Sequence, residues 1–267
     1  MQIVGEKIIG TRKSVAQAIA KRDVELIQDL ATRQANAGSA WLDIHAGTHP
    51  DQETDDLIWL INTIQAVVDI PLCLDSANPQ ALAVAVDVVD KTPMINSING
   101  EPERLQGILP IIAANDCKVI ALAMDDKEIP KTCAARMKVI RKVIQATRGH
   151  GVPDGNVYFD PLAMTIATNN DSALTTLETL RSIRTEFPNT HTIMGLSNIS
   201  FGMPARAHIN RAFLTLALAA GLDSAILDPL DNKLRAGLLS AELVLGRDRH
   251  CLNYTRAYRA GVFDKGK

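Results

Sequence analysis

Eight short, mostly aliphatic segments recur along this 267-residue chain at intervals of roughly 20 to 40 residues. Each segment is followed by a polar or glycine-bearing turn. Because the segments are continuously apolar rather than alternating, they are typical of strands covered on both faces in a parallel sheet. The eight segments are 2–5, 40–44, 70–75, 93–96, 118–124, 156–160, 192–196 and 224–228.

The stretches between these segments have the period of amphipathic helices. One of them places Leu57, Leu60, Ile61 and Ile64 on one helical face. Strict alternation of strands and helices leaves two architectures, the closed (β/α)₈ barrel and the open doubly wound sheet. Eight repeats, a length close to the roughly 250 residues typical of such barrels, and no glycine-rich phosphate loop after the first strand favour the barrel. No linker divides the chain, so one domain over residues 1–267 is predicted.

Composition and charge exclude several classes of function. Hydrophobic residues make up 46% of the chain and aromatic residues only 4%, which predicts an aliphatic core. The net charge is −2 and no basic stripe is present, so a nucleic-acid-binding surface is not expected. No apolar stretch is long enough to cross a bilayer, and the first residues do not resemble a signal peptide. A cytoplasmic protein without membrane contact is therefore expected.

The cysteines and histidines do not have the spacing of metal ligands. Cys73, Cys117, Cys133 and Cys251 are scattered without a CxxC pair, and the six histidines contain no HExxH. Structural zinc needs clustered ligands, so no bound metal is expected. We expect the four cysteines to be buried and reduced.

Polar residues close most of the apolar segments. In a (β/α)₈ barrel the carboxyl ends of the strands meet at one concave mouth, where functional groups lie. Such a set of carboxylates and carboxamides could serve acid–base catalysis, metal binding, or recognition of a heterocycle rich in N–H groups. An ionised Asp only accepts hydrogen bonds, so it suits a ring edge with two parallel donors. The residues at or near the strand ends are Asp43, Asp75, Asn96, Met124, Asp160, Asn198 and Asp228.

Any one of these aspartates could instead cap the helix that follows it. Asp228, which comes shortly before Asp231, is the best candidate for such a cap. Asp171, before another helical segment, also has the position of an N-cap. Asp43, Asp75 and Asp160 are harder to explain in this way, since each closes an otherwise apolar strand.

The strand-end motifs resemble the pterin-binding barrel superfamily over essentially the full chain. The motifs are Leu-Cys-Leu-Asp75-Ser, Met-Ile-Asn96-Ser-Ile-Asn99-Gly, Tyr-Phe-Asp160-Pro-Leu and Gly195-Leu-Ser-Asn198-Ile-Ser. The superfamily includes dihydropteroate synthase, the folate domain of cobalamin-dependent methionine synthase, and the methyltetrahydrofolate:corrinoid methyltransferases. The last group is the most similar, since Gly5-Glu6-Lys7, Pro204-Ala-Arg206 and His208-Ile-Asn210-Arg211 also resemble it.

The resemblance implies roles for individual residues. Asp75, Asn96 and Asp160 are expected to bind the pterin edge, and Asn198 to act catalytically near N5 of the folate. Two positions depart from the family pattern, Ile9 and His45, where relatives often have Asn. The further residues expected to line the pterin site are Met124, Gly195, Ser197 and Arg206.

The activity implied is methyl transfer between N5 of tetrahydrofolate and the cobalt of a corrinoid. The corrinoid should be carried by a separate protein that docks at the barrel mouth, because the chain has no Asp-Xaa-His-Xaa-Xaa-Gly motif. The resemblance also implies a homodimer and a place in anaerobic one-carbon metabolism such as O-demethylation. The alternatives are a dihydropteroate synthase-like enzyme, whose Ser-Arg-Lys and Asn-Xaa-Thr-Pro-Asp-Ser-Phe signatures are absent, and a non-catalytic folate-binding protein.

Overall fold

Eight parallel strands form one sheet in the computed structural model of the chain, which describes residues 1–125 and 129–263. The sheet order is β7-β6-β5-β4-β3-β2-β1-β8, and a bridge between Gly195 and Ile226 brings its two edges together. The predicted (β/α)₈ barrel is thereby confirmed, and every predicted strand is present. The strands are β1 (Gln2–Ile9), β2 (Trp41–His45), β3 (Leu72–Asp75), β4 (Met94–Ile98), β5 (Lys118–Leu122), β6 (Val157–Asp160), β7 (His191–Thr192) and β8 (Ser224–Leu227).

Helices follow the strands and cover the outside of the barrel. Three of them begin with a proline in the first turn, where the missing N–H has no helical partner to lose. None of the helices in the described ranges is long and apolar enough to cross a membrane. They are α1 (Lys13–Lys21), α2 (Val24–Asn36), α3 (Pro50–Gln65), α4 (Pro79–Ala85), α5 (Pro102–Ala114), α6 (Cys133–Gly149), α7 (Ser172–Glu186), α8 (Arg206–Ala219), α9 (Asn232–Val244) and α10 (Leu252–Arg259).

The helix cap expected at Asp228 is wrong. Asp231 caps α9 instead, since its Oδ1 accepts hydrogen bonds from the amides of Lys233 and Leu234 at 2.9 and 3.0 Å. Asp228 lies too far upstream to reach those amides, and it accepts from Leu230 N at 2.9 Å and pairs with Lys7. Asp171 precedes α7 as expected, but its side chain makes no capping hydrogen bond.

The inside of the barrel is built in layers. One layer is apolar, and its members are Val4, Trp41, Cys73, Met94, Ile120, Tyr158 and Ile193. Side chains alternate between the two faces of a strand, so residues two positions further on return to the interior. Those residues are Glu6, Asp43, Asp75, Asn96, Leu122, Asp160 and Gly195. The next layer towards the mouth is therefore mainly polar.

The outward faces of the strands pack against the helices. Leu42, Leu72, Ile95 and Val119 belong to a large aliphatic cluster with residues of the surrounding helices. Three of the cysteines are buried and free, but Cys251 is exposed, which corrects the expectation that all four are buried. Cys251 lies in the turn directly before α10, and α10 itself has no buried residues.

Candidate active site

Three of the predicted pterin-binding residues lie in the polar layer, where Asp75 and Asp160 end their strands and Asn96 lies two residues before the end of β4. Asp75 and Asn96 are register partners across β3 and β4, and Asp160 ends β6 two strands further around the barrel. Asn96 Nδ2 donates to Asp43 Oδ1 at 3.3 Å. The barrel therefore brings Asp43, Asp75 and Asn96 together on three neighbouring strands, facing Asp160 across the interior.

Asp43, which is buried, and Asp75, which is half-buried, form a pair of neighbouring carboxyl groups. Burial, together with the nearby charge of Asp75, raises the pKa of Asp43 to about 7, against the lowering effect of hydrogen bonds from Asn96 and Cys73. Burial also raises the pKa of Asp75, while His45 and Arg104 lower it. One carboxyl of the pair can therefore hold a proton near neutral pH, so this part of the site offers a donor as well as acceptors.

Asp160 is held by the backbone around it. The side chain is 8% exposed, and its Oδ1 accepts from Leu162 N at 2.7 Å. Burial raises the pKa of Asp160 to about 6, against hydrogen bonds from the amides of Leu162 and Gly195 and the charge of Arg136. Asp160 is therefore ionised at neutral pH and can only accept hydrogen bonds.

Arg136 stands behind Asp160 and is missing from the sequence-based site. It is 2% exposed on α6, with Nε donating to Pro130 O at 3.1 Å and Nη1 to Thr176 Oγ1 at 3.2 Å. A buried guanidinium needs a counter-charge, and its charge acts on Asp160. The sequence could have revealed Arg136, because an arginine on the apolar face of α6, among Cys133, Met137 and Ile140, indicates a buried charge with a partner.

Asn198 lies on a 3₁₀ turn, Leu196–Ser200, that begins directly after Gly195. Its side chain is exposed, and Nδ2 is 3.0 Å from the position that a Cβ on Gly195 would occupy. Gly195 also donates its N–H to Asp160. A glycine at this position lets the Asn198 amide approach the strand end, and it brings Asn198 and Asp160 to the same backbone unit.

Arg206 stabilises the turn that carries Asn198. Its Nη2 donates to Ser197 O at 2.7 Å, and its Nε donates to Ser200 Oγ at 3.0 Å. The turn is also tied to the β6–α7 loop, because Ile166 N donates to Ile199 O at 3.0 Å. The predicted lining residues Ser197 and Arg206 therefore lie together beside Asn198.

Met124 and the two departures from the family pattern lie at neighbouring strand ends. Met124 is half-buried after β5, and its carbonyl accepts from Gly100 N at 2.8 Å. Ile9 and His45 are register partners at the ends of β1 and β2. The charge of His45 acts on Asp75, so this departure places an imidazole against the carboxyl pair.

The opposite side of the mouth contains ionisable groups that were not assigned to the site from sequence. Glu6 on β1 is half-buried, and this burial and the charge of Asp228 raise its pKa, against the charges of Arg12, Lys7 and Arg206. Arg12 Nη2 is 3.9 Å from Glu6 Oε1, and Lys7 pairs with Asp228. Within the described residues no group of three or more His, Cys, Asp or Glu side chains is arranged to hold a metal.

The sequence is similar to a pterin-binding family and to two proteins whose names refer to methyl transfer or methionine synthesis. The family described as pterin binding enzyme matches residues 10–228. A methylcorrinoid:tetrahydrofolate methyltransferase of Eubacterium limosum is 34% identical over 263 residues, which cover 98% of this chain and 97% of the relative. Methionine synthase of Mycobacterium tuberculosis is 27% identical over 84% of this chain, but the match covers only 20% of that longer protein.

Solved structures share the fold at low sequence identity. Dihydropteroate synthase from Xanthomonas albilineans superposes with a TM-score of 0.67 at 18% identity, covering 93% of both chains. The Yersinia pestis enzyme gives 0.68 at 16% identity, covering 92% of this chain and 94% of that one. At such identities the likeness establishes the barrel and leaves the chemistry to the site residues.

Proposed function

The chain belongs to the pterin-binding enzyme family, and from this premise we propose that it transfers a methyl group between N5 of tetrahydrofolate and the cobalt of a corrinoid. The observation that carries the proposal is the mouth itself, where buried Asp160 faces the Asp75–Asn96 pair and Asn198 lies against Gly195. The relative that matches over nearly its whole length is named for this reaction.

The polar layer suits the edge of a pterin ring. Ionised Asp160 accepts from two adjacent ring donors, such as N3–H and the exocyclic amine. Asn96 both donates and accepts, so it can pair with a ring nitrogen and a ring N–H. Asp75, beside the partly protonated Asp43, completes the ring contacts on the other side. Met124, Gly195, Ser197 and Arg206 line the remaining space.

Asn198 is proposed to act on N5. When the methyl group leaves the folate, Co(I) supplies the electron pair of the new Co–CH₃ bond, and the N5–CH₃ bond breaks. Its electrons remain on N5, which takes up a proton, so the products are tetrahydrofolate and methyl-Co(III). In the reverse direction the N5 lone pair takes the methyl group, N5 loses its proton, and Co(I) leaves. The Asn198 amide stabilises the charge that develops at N5, as a preorganised dipole does.

The corrinoid is proposed to arrive on a separate protein that docks at the mouth. The chain has no Asp-Xaa-His-Xaa-Xaa-Gly corrinoid motif, so the cofactor is a substrate here rather than a resident group. Both reactants must be held in line, and the barrel mouth supplies that positioning. A cytoplasmic homodimer of one domain, in an anaerobic pathway such as O-demethylation, is the setting that the family resemblance implies.

Methyl exchange between methyltetrahydrofolate and free cob(I)alamin under anaerobic conditions tests this function. We expect loss of cob(I)alamin absorbance with formation of stoichiometric methylcobalamin and tetrahydrofolate. Tight tetrahydrofolate binding without methyl exchange in either direction would make the chain a non-catalytic folate-binding protein. Formation of dihydropteroate from dihydropterin pyrophosphate and p-aminobenzoate would assign it to the synthases instead.

A further inference from the structure

A cavity of about 280 Å³ lies in the mouth on the side of β1 and β8. It is bordered by Glu6, Arg12, Ser197, Arg206, Asn210 and Asp228. Asp75, Asn96 and Asp160 do not line it, but Ser197 and Arg206 do, so it borders the proposed pterin site without including the ring contacts. Ser197 connects the two regions, since it is the neighbour of Asn198, and exposed Arg206 brings the cavity to the surface. We call this space the β1/β8 cavity.

Two buried polar atoms on residues of the β1/β8 cavity lack a partner. Arg12 Nε and Asn210 Oδ1 are both shielded, and neither has a hydrogen bond to any residue within 1–125 or 129–263. A buried polar group without a partner destabilises the protein, because it has lost its hydrogen bonds to water without replacing them. One of these atoms is a donor and the other an acceptor, so a ligand that satisfies both must itself carry an acceptor and a donor.

The charge of the cavity decides between kinds of ligand. Its border carries three carboxylates, Glu6, Asp228 and Asp231, against the guanidinium groups of Arg12 and Arg206. Lys7 compensates Asp228, and Arg206 is already bonded to Ser197 and Ser200. A carboxylate ligand would therefore face three carboxylates with only Arg12, which already lies 3.9 Å from Glu6, to balance it. A neutral group with an N–H and a C=O, such as a primary carboxamide, fits both orphan atoms.

Primary carboxamides, which present an N–H and a C=O on the same edge, are found on one of the two proposed reactants, since the single amide in the tail of a folate is secondary and presents its N–H and C=O on opposite edges. The rim of a corrin ring carries acetamide and propionamide side chains, whereas the tail of a folate ends in glutamate carboxylates. We propose that the β1/β8 cavity binds a peripheral carboxamide of the incoming corrinoid, with Asn210 accepting its N–H and Arg12 donating to its oxygen. This inference rests on the proposed function and adds the contact that orients the ring beside Asn198.

Binding of two corrinoids that differ only in these side chains tests the subsite. Dicyanocobinamide keeps the carboxamides, and the dicyano heptamethyl ester of cobyrinic acid carries methyl esters, which have no N–H to donate. We expect the wild-type protein to bind the amide compound about fivefold or more tightly in equilibrium titrations in the same buffer, the size of one ordinary hydrogen bond. Equal affinity for the two compounds would overturn the subsite.

The variants Asn210→Leu and Arg12→Met locate the effect. Asn210→Leu should lose about three- to tenfold in affinity for the amide compound and little for the ester, whereas Arg12→Met should lose affinity for both compounds, because the ester keeps the carbonyl oxygen to which Arg12 donates. Asn62→Leu, on an exposed position in the last turn of α3, is the matched control and should change neither. Equal losses for both corrinoids in Asn210→Leu would contradict the carboxamide contact. Arg12, whose side chain is 39% exposed, supplies a second variant that can be made if Asn210→Leu does not fold.

Folate binding separates this proposal from the alternatives. In both variants the affinity for tetrahydrofolate, relative to tetrahydropteroate without its glutamate, should equal that of the wild type. A selective loss for tetrahydrofolate would assign the cavity to the glutamate tail and overturn the proposal. Wild-type methyl exchange without any amide preference would refute the subsite alone, whereas absence of both exchange and corrinoid binding would refute the proposed function with it.

Discussion

Asp160 and Asn198 both contact Gly195, but they differ in burial and in charge. Asp160 is buried, ionised at neutral pH and fixed by two backbone amides. Asn198 is exposed on a 3₁₀ turn and reaches the site only with its amide. A fixed acceptor contributes equally to binding before and during the reaction, whereas a neutral amide contributes most when charge develops. The two residues should therefore affect different steps.

Replacing Asp160 should weaken folate binding first. Asp160→Ala leaves two ring donors unpaired in a buried site, and each charge-assisted hydrogen bond is worth about 1.5–3 kcal/mol. We expect the tetrahydrofolate affinity of the folded variant to fall by roughly tenfold or more. Calorimetric titration measures this, with Asp171→Ala at an exposed position as the control. Unchanged affinity in Asp160→Ala would exclude Asp160 from the pterin site.

Replacing Asn198 should slow methyl transfer more than it weakens binding. Asn198→Ala should lower the single-turnover rate at saturating folate by roughly 10²-fold or more, the range for removal of one preorganised donor. Folate affinity should fall less, because Asp75, Asn96 and Asp160 are unchanged. Rate and affinity are measured in parallel for Asn198→Ala and Asp160→Ala. If both quantities fall equally in Asn198→Ala, Asn198 is a binding residue only.

Asp43 should make the stability of the protein depend on pH. Burial raises its pKa from 3.8 to about 7, so between these values the folded chain binds more protons than the unfolded chain. The stabilising effect of the protonated carboxyl is complete below pH 4 and is lost as the pH rises through about 7. Asp43→Asn should therefore be more stable than the wild type at pH 8, by on the order of 1 kcal/mol or more, since one pKa unit is about 1.4 kcal/mol.

Denaturant unfolding of Asp43→Asn and the wild type at pH 5 and pH 8 measures this effect. The difference between the two proteins should be larger at pH 8, because a carboxamide carries no charge and can still accept from Asn96 through its oxygen. A difference that is the same at both pH values would show that Asp43 has no raised pKa in the folded protein.

At the scale of the elements, the strands could be predicted because continuous apolar runs survive as buried parallel strands. The 118–124 run, for example, contains β5, and the 156–160 run contains β6. β7 is the exception in extent, since the 192–196 run leaves the sheet after Thr192 and turns at Leu196. Beyond Thr192 the barrel is continued by backbone hydrogen bonds of Ile193 and Met194 and by the isolated bridge from Gly195 to β8. Apolar composition predicts burial there, but it does not reveal where pairing ends.

The residues missed in the site have a common physical reason. Glu6 belongs to the interior only because it lies two positions after Val4, and Arg136 contributes only because α6 packs behind β6. Both depend on which face of an element is turned inward. The location of Asp75, Asn96 and Asp160 in the barrel mouth could be predicted because each closes an apolar run, whereas their contact with a pterin is still a prediction.

A side chain at Gly195, between β7 and the turn that carries Asn198, should displace the Asn198 amide without unfolding the protein. In Gly195→Ala the new Cβ would lie 3.0 Å from Asn198 Nδ2, so the amide must shift by a few tenths of an ångström. Gly195 has ordinary backbone angles, with φ −71°, so the fold should survive. We expect methyl transfer to slow by about tenfold, as small misplacements of catalytic groups have large effects, with little change in thermal unfolding. Wild-type rates in Gly195→Ala would separate Asn198 from the chemistry.

At the scale of the whole molecule, the barrel resembles enzymes with a different reaction. The dihydropteroate synthase structures share the architecture at 16–18% identity, so the fold alone does not determine what the mouth does. The chemistry must follow from the residues that each chain places at its strand ends. In this chain the cysteines form no CxxC pair and the histidines form no HExxH motif.

The purified protein should therefore contain no stoichiometric zinc or iron. Neither the cysteines nor the histidines have the spacing of ligands for these metals. Elemental analysis of the protein, together with methyl exchange before and after treatment with a chelator, measures this. One metal per chain on which activity depends would contradict the prediction and require a ligand set that the sequence did not reveal.

The separation of the mouth into two halves has a consequence for how such an enzyme can change. The proposed ring contacts come from β3, β4 and β6, whereas the β1/β8 cavity is built by β1, α8 and the loop after β8. Apart from Ser197 and Arg206, which border both halves, substitutions in one half need not disturb the packing of the other, because they lie on different strands and helices. An engineer could therefore retain the folate half and redesign the opposite half for another methyl acceptor. The specificity for the methyl acceptor could then be changed through the residues of the β1/β8 cavity while the folate contacts are kept.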